Sequence, residues 1–367
     1  MAIDEIVLLG VGDVGPVHEP MEAYGALARP TLAAGDIRFA QCERIYSDRG
    51  AQQVHGSAHT RIKPHLASIF SDCGFDVVSV ASNHAMDFGE DALMDSIDHL
   101  RQRGIQTVGA GRNLQQARTP AIIERHGIKV AFLAYCSVLQ EGYAAGPHKG
   151  GIAPLRAYTY YRPTEYQTGL PPKVVTIPYE EDMDGMIEDI ESAKKLADSV
   201  IVSLHWGVHF IPRVIADYQP TVAKAALRAG ADLILGHHAH APKAINVING
   251  KTCFYSLSNF IMSVPPLTPE RAAAFGKKYG VVMDPDYPKL WYGADAKRSM
   301  IAKAVISKQG VRKVSFLPVL IDKQLRPEVL RNGDPRFKEA VDFMEWVSEE
   351  SSHKFSVDGD EVVVTGA

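Results

Sequence analysis

An α/β fold with mixed sheets is the class that the sequence predicts, and three patterns support it. Short apolar, β-rich runs alternate with helix-like stretches along most of the 367 residues. The run 76–81 is apolar almost throughout, which is typical of a strand covered on both faces. Several of these runs end abruptly in polar residues, as strands do when they bring side chains to a shared site at the edge of a sheet.

The composition is that of an ordinary globular chain. Apolar residues make up 46% and charged residues 22%, and the net charge is −4. This balance provides no electrostatic basis for binding nucleic acid or an anionic membrane. The four cysteines are widely spaced, which argues against a disulfide-stapled fold or a zinc ribbon. Because we find no export signal and no run of about 20 apolar residues, we expect a cytoplasmic protein without a membrane span.

Local patterns predict the elements of the first half. A helix is predicted at 90–104, where Leu93, Ile97 and Leu100 recur at the spacing of a buried face and Gly104 suits its end. His126-Gly127 lies between two apolar runs and predicts a hairpin. The remaining predicted elements are strands at 6–11, 37–40, 76–81 and 105–108 and a helix at 62–71.

The second half continues the alternation. Asn249-Gly250, between two apolar runs, is the strongest hairpin signal in the chain. Residues 141–172 are rich in Gly, Pro and Tyr and predict a long irregular loop. The other predicted elements are helices at 183–197, 220–229 and 337–347, strands at 198–204, 232–235, 301–306 and 311–320, and a terminal hairpin around Asp358-Gly359.

These elements predict one catalytic domain with an appendage. We assign residues 1–322 to the domain and treat 264–299, with many prolines and few periodic features, as an irregular insertion within it. Residues 323–367 are predicted to form a C-terminal extension. Either extra segment could serve as an interface in a homo-oligomer.

Five predicted strands end in residues typical of metal ligands or acid–base catalysts. These are Asp13, Glu43, Asn83 with His84, His205, and the group His237, His238 and His240. Because ligands bind beyond the carboxyl ends of strands in open α/β sheets, we expect these side chains to form one site. Their mixture of hard and borderline ligands suits Mn, Fe or Zn. Two ions about 3.5–4 Å apart, bridged by one carboxylate, would need about this many ligands.

The same motifs resemble those of the CapA family of capsule or poly-γ-glutamate synthesis proteins, relatives of the calcineurin-like metallophosphatases. The resemblance covers residues 6–262 and is most specific in Ser-Asn-His-Ala-Met-Asp-Phe-Gly at 82–89 and in the stretch from Gly-His-His-Ala-His to Phe-Tyr-Ser-Leu-Ser-Asn-Phe at 236–260. It implies a four-layer α/β/β/α sandwich with its site at the strand ends. Ser258 stands where the family often has Gly, and His209 where it commonly has Glu.

The resemblance also implies roles for individual residues. Asp13, Glu43, Asn83, His205, His238 and His240 match the metal ligands. His84 matches the general acid, with Asn83 and Asp13 as catalytic partners, and Asp13 either binds metal or orients His84. We expect one or two divalent ions, while a centre so rich in histidine leaves a metal-free site open.

Four further residues are expected around the substrate. Arg44 is expected to bind an anionic group, and His209 and His237 are neighbours of the ligand histidines. Asp87 either fixes a histidine by a hydrogen bond or caps the helix that begins near Gly89.

The predicted function is a metal-dependent hydrolase acting on a phosphoester or an amide in a small or peptide-like, anionic substrate. Two alternatives use the same residues. One is a metal-independent isomerase, epimerase or lyase in which a histidine and a carboxylate move protons at carbon. The other is a non-catalytic binding protein of the capsule or polyglutamate type. Neither nucleic acid nor a membrane is expected as a partner.

Overall fold

Two β-sheets lie face to face at the centre of the computed structural model, which describes residues 4–56, 61–166 and 169–367. The larger sheet has ten strands and the smaller has six, and two short two-stranded ribbons lie outside them. The strands are β1 (Glu5–Gly15), β2 (Ile37–Cys42), β3 (Val77–Ser79), β4 (Gln106–Val108), β5 (Ala110–Gly111), β6 (Ala121–Arg125), β7 (Ile128–Cys136), β8 (Gly151–Ile152), β9 (Ala157–Arg162), β10 (Lys173–Pro178), β11 (Ser199–His205), β12 (Leu233–His237), β13 (Ile245–Ile248), β14 (Lys251–Phe254), β15 (Asn259–Met262), β16 (Arg298–Ser307), β17 (Gly310–Ile321), β18 (Pro327–Val329), β19 (Lys354–Asp358) and β20 (Glu361–Thr365).

The helices lie in the connections between these strands. They are α1 (Met21–Tyr24), α2 (Arg29–Leu32), α3 (Ser68–Asp72), α4 (Glu90–Gln102), α5 (Leu114–Ala117), α6 (Glu180–Lys194), α7 (Tyr218–Ala229), α8 (Pro269–Tyr279) and α9 (Pro335–Ser348), with short 3₁₀ turns at Pro64–Ala67 and Ala294–Lys297. Within the described ranges, none of these helices combines the length and the apolar character needed to cross a bilayer.

Each sheet contains a run of parallel strands flanked by antiparallel ones. The larger sheet has the order β19-β20-β17-β16-β1-β2-β3-β4, with β15 pairing in parallel beside the end of β1. The smaller sheet has the order β13-β14-β12-β11-β7-β6, in which β7, β11, β12 and β14 are parallel. Because a parallel connection must cross over the sheet, the helices are carried to the outer faces.

The core between the sheets comes from inward-facing side chains of both. Phe39 of β2 stacks on Phe132 of β7, with ring centroids 5.7 Å apart and an angle of 5° between the rings. On the outer side of the smaller sheet, Met186 of α6 and Val222 of α7 pack in one apolar cluster with Val202 of β11. The predicted α/β fold and its four-layer α/β/β/α arrangement are confirmed.

Two segments differ from the sequence-based expectation. The region 141–172, expected to be an irregular loop, contains β9, which pairs with β10 in an exposed ribbon. Residues 269–279 of the expected irregular insertion form α8. In the 323–367 segment the predicted helix and terminal hairpin are confirmed as α9 and as β19 with β20, and β20 pairs with β17 of the larger sheet. The sequence did not predict β9 and α8 because neither has a buried apolar face, which would produce a regular pattern.

Candidate metal centre

The carboxyl ends of parallel strands from both sheets meet at one edge of the sandwich. Asp13 lies within β1 and not after it, because β1 continues to Gly15 by pairing with β15. Glu43 directly follows β2. In the smaller sheet, His205 ends β11 and lies beside His237 at the end of β12.

The backbone that supports these residues is unusually crowded. A Cβ at Gly12 would lie 2.0 Å from the carbonyl oxygen of Ser258, so only glycine fits there. That carbonyl accepts a hydrogen bond from the Asp13 amide at 2.9 Å. Ser258, His238 and His240 have φ angles of 69°, 87° and 53°, in the left-handed region that non-glycine residues rarely adopt. Strained backbone of this kind concentrates at functional sites.

Six of the predicted residues form a compact group, here called the metal cluster: Asp13, Glu43, Asn83, His205, His238 and His240. Ligand atoms of Asp13, Glu43 and His205 lie within 4.8 Å of one another. Glu43 links the two sheets, because its Oε2 is 3.6 Å from His205 Nε2 and its Oε1 is 3.8 Å from His240 Nε2.

The other members converge on the same space. Asn83 Oδ1 lies 2.7 Å from His205 Nε2, and His238 Nδ1 lies 3.1 Å from that same nitrogen. Asp13 Oδ2 is 3.6 Å from His240 Nδ1 and accepts a hydrogen bond from the His238 amide at 3.3 Å. One volume is therefore surrounded by carboxylate oxygens, imidazole nitrogens and an amide oxygen.

This donor set fits a divalent cation. Asp13 and Glu43 are fully buried, and Asp13 Oδ1 and Glu43 Oε1 have no hydrogen-bond partner within the described part of the chain. Burial raises the pKa of Asp13, and burial together with repulsion from Asp13 raises the pKa of Glu43 well above its usual value. A buried pair of carboxylates is costly unless a cation or a proton compensates it. The orphaned oxygens are the atoms that a metal ion would bind.

The histidines of the cluster suit the same role. Burial lowers the pKa values of His205, His238 and His240 well below the usual value, and repulsion between neighbouring imidazoles lowers them further. A neutral imidazole has a lone pair free for a metal. His240 Nδ1 lies 2.8 Å from Asn259 Oδ1, so this nitrogen donates and Nε2 is left to face Glu43.

His84 stands at the edge of the cluster with a different set of contacts. Its Nδ1 is 2.7 Å from Asp87 Oδ2, and its Nε2 is 3.8 Å from Glu43 Oε1. Tyr143 donates a hydrogen bond to the other Asp87 oxygen at 2.9 Å. Burial and the nearby Arg44 lower the pKa of His84, while Asp87 acts in the opposite direction. This arrangement fixes the ring and directs Nε2 toward the cluster.

A cavity of about 480 Å³ opens above the cluster. Arg44, Asn83, His84, His209 and His240 line its inner side, and the rest is lined by aromatic, aliphatic and proline side chains together with Arg271. Arg44 is 7% exposed and donates to the Tyr292 hydroxyl at 3.2 Å. Its Nε has no hydrogen-bond partner among the described residues, and its charge lies close enough to Asp13 and Glu43 to lower the pKa of both carboxyls against the effect of burial.

Arg44 and His209 therefore lie where a substrate would contact them, but His237 and Asp87 do not. His237 is fully buried beneath the cluster, 3.7 Å from Asp13 Oδ1 and against Phe39, because it still belongs to β12 and points between the sheets. Asp87 contacts His84 and Tyr143 in place of substrate. It does not cap α4 either, since the residue before that helix is Gly89.

Sequence reasoning gave no role to several residues of the site. Asn259 orients His240, and Ser82 donates a hydrogen bond to Glu43 Oε2 at 3.2 Å. Both lie inside the quoted motifs, so the signal was present. Tyr292 stacks on His240 with centroids 4.2 Å apart, but it comes from the proline-rich 264–299 segment, where no motif marked it.

The chain is similar to several known proteins. The family described as bacterial capsule synthesis protein PGA_cap matches residues 11–264. The chain is 30% identical over 234 residues to the PGA biosynthesis protein CapA of Bacillus subtilis, covering 63% of this chain and 54% of that one. It is 26% identical over 273 residues to the capsule biosynthesis protein CapA of Bacillus anthracis, covering 70% and 60%. The chain thus spans little more than half of these relatives. It is also similar to the calcineurin-like phosphoesterase YfkN of Bacillus subtilis, with a TM-score of 0.41, 12% identity and coverage of 94% and 98%.

Proposed function

We propose that this chain, which belongs to the bacterial capsule synthesis protein family PGA_cap, hydrolyses a phosphoester bond at its metal cluster with His84 as the general acid. One observation carries this proposal. His84 has one ring nitrogen tied to Asp87 at 2.7 Å, while the other lies 3.8 Å from Glu43 at the mouth of the cluster. A proton donor is thus held between the candidate metal ligands and the cavity.

The members of the metal cluster would hold one or two divalent ions of the Mn, Fe or Zn type. Such an ion lowers the pKa of a water molecule toward about 7 and polarises the bond under attack. The orphaned oxygens of Asp13 and Glu43 and the neutral histidines support this assignment.

Arg44 supports an anionic substrate, which a phosphoester is. Its guanidinium is buried at the cavity, and its Nε has no hydrogen-bond partner among the described residues, so this group is available to a bound anion. A planar guanidinium binds two phosphate oxygens at once, which also orients the group. Asn83, which lines the same cavity, lies on the cluster side of that anion.

The protonation of the His84 ring is suited to donating a proton to the leaving group. With Nδ1–H held by Asp87, the protonated ring can give its Nε2 proton to the departing oxygen. The pKa of His84 is lowered by burial and by Arg44 in the free protein. A bound phosphate neutralises Arg44 and favours the charged imidazole, so substrate binding itself would charge the acid.

The decisive experiment combines metal analysis with a substrate panel. The full chain, purified and loaded with Mn²⁺, Fe²⁺ or Zn²⁺, would be assayed against a phosphomonoester, a phosphodiester and a γ-glutamyl amide. For His84→Asn we expect kcat to fall by about 10²–10⁴-fold with alkyl esters. The loss should be much smaller with nitrophenyl esters, because that leaving group needs no proton. Metal content should not change. His65→Asn, at an exposed position, is the matched control.

Three results would contradict the proposal. Full activity of a metal-free sample would remove metal-activated water from the mechanism. Cleavage of the γ-glutamyl amide alone would agree with a metal-dependent hydrolase, but the bond cleaved would be an amide and not a phosphoester. One relative is named for PGA biosynthesis. Binding of these compounds without turnover of any would favour a non-catalytic binding protein.

A further inference from the structure

We propose that the 264–299 segment makes this centre selective for phosphoesters that carry a planar aromatic group next to the phosphate. The inference rests on the hydrolase function proposed above. It concerns the part of the cavity that faces away from the metal cluster.

Five aromatic side chains form this part of the cavity, here called the aromatic wall: Phe210, Phe275, Tyr279, Trp291 and Tyr292. The rings contact one another in sequence. Phe275 has centroid distances of 4.6 Å to both Tyr279 and Trp291, and Phe210 lies 5.2 Å from Tyr279 and 5.4 Å from Tyr292. Because each ring is held by its neighbours, the wall is a preformed apolar surface.

The wall begins one ring away from the metal cluster. Tyr292 lies nearly parallel to His240, with an angle of 10° and a centroid distance of 4.2 Å. The hydroxyl of the same tyrosine accepts the hydrogen bond from Arg44. An ester whose phosphate is bound by Arg44 would therefore place its organic group directly against aromatic faces.

The charges of the cavity favour one anionic group attached to an apolar body. Arg44 and Arg271 are the permanently charged side chains among the described residues that line it, and no acid lines it. An extended polyanion such as a glutamate polymer needs a row of cations, which this lining does not provide. A cavity of about 480 Å³ has the size of a small-molecule site, and aromatic walls favour flat, apolar ligands.

The position of the wall in the chain points to selectivity. Four of its five residues follow residue 264, where the match to the family ends. They include two side chains of α8, a helix with no fully buried residue. Because α8 contributes so little to the core, its side chains can be substituted without disturbing the sheets. Such a helix can therefore be adapted to a particular substrate.

The test compares two alkyl esters whose leaving alcohols have similar acidity. We expect kcat/KM for benzyl phosphate to exceed that for ethyl phosphate by about tenfold in the metal-loaded protein. In Phe275→Ala and Tyr279→Ala this ratio should fall toward one, while the metal content stays that of the parent protein. Tyr160→Ala, in the exposed ribbon, should keep the full ratio.

Binding of the non-hydrolysable benzylphosphonate and ethylphosphonate separates this inference from the proposed function. Tighter binding of benzylphosphonate by about tenfold, lost in either wall variant, supports the selectivity even if no phosphoester is cleaved. Equal affinities for the two phosphonates, or no binding of either, would overturn it even if both esters are hydrolysed. The comparison within the unmodified protein decides the matter if a wall variant fails to fold.

Discussion

The metal cluster and the aromatic wall border the same cavity, yet they are built in opposite ways. Asp13, Glu43 and His205 are fully buried and are held by strand pairing and by hydrogen bonds between sheets. The wall side chains Phe275 and Tyr279 belong to a surface helix and are held mainly by contacts between rings.

This difference separates two kinds of function. Strand pairing fixes the backbone at Asp13 and His205, so the geometry of the centre depends on both sheets. The wall can change by substitution of one ring at a time, because no backbone pairing depends on it. We therefore expect changes in the cluster to alter metal content and kcat, and changes in the wall to alter the choice of substrate. The predictions below test this separation.

The largest effect is expected from Asp13→Asn. The change removes a buried carboxylate of the cluster at constant size, so bound metal should be lost and kcat/KM should fall by about 10³-fold. The metal-free variant should be at least as stable as the metal-free parent, because it no longer buries a group whose charged form is disfavoured. Elemental analysis and thermal denaturation measure the two effects.

Phe275→Ala is the matched control for that experiment, since it alters the same cavity from the other side. It should keep the metal content of the parent protein. Loss of metal in Phe275→Ala, or full metal binding by Asp13→Asn, would contradict the view that the cluster binds metal independently of the wall.

An intermediate effect is expected from Asp87→Asn. This carboxylate raises the pKa of His84, so its removal lowers that pKa further and leaves less of the protonated acid at a given pH. We expect kcat to fall by about 10–100-fold and the basic limb of the kcat/KM profile to move to lower pH. Asp91→Asn, at an exposed position in the first turn of α4, should change neither. If the basic limb of the kcat/KM profile stays in place in Asp87→Asn, Asp87 does not control the protonation of the general acid.

The smallest effect concerns thermal stability. The increase in Tm on adding metal should grow from pH 5.5 to pH 8.5 by a few degrees. The raised pKa values of Asp13 and Glu43 keep protons on the metal-free folded protein above pH 4, where the unfolded chain has lost them. The stability of the metal-free protein therefore falls with rising pH from this source, while bound metal displaces those protons.

Lys243 also makes stability depend on pH, but it does not affect the comparison of Tm with and without metal. Burial lowers the pKa of Lys243 to about 7, which makes the folded state more stable as pH rises, but this applies equally with and without metal. Phe275→Ala should show the same pH dependence as the parent, because the wall has no part in the proton balance. A Tm increase independent of pH would contradict the coupling of metal to the two carboxyls.

The sequence alone determined most of the sheet framework and the residues of the cluster. Apolar runs that end in Asp13, Glu43, Asn83, His205 and His240 are local signals, and parallel strands bring such ends to one edge whatever lies between them. The same local logic identified α4 and the hairpin at Asn249-Gly250.

Only the tertiary structure decided which of these side chains face the cavity. In the folded protein His237 points between the sheets, and Asp87 forms a hydrogen bond with His84. Tyr292 stacks on His240 although it comes from a segment without any periodic pattern. The reason is physical: strand pairing repeats from residue to residue and leaves a pattern in the sequence, whereas a contact between two rings far apart in the chain depends on the packing of everything between them.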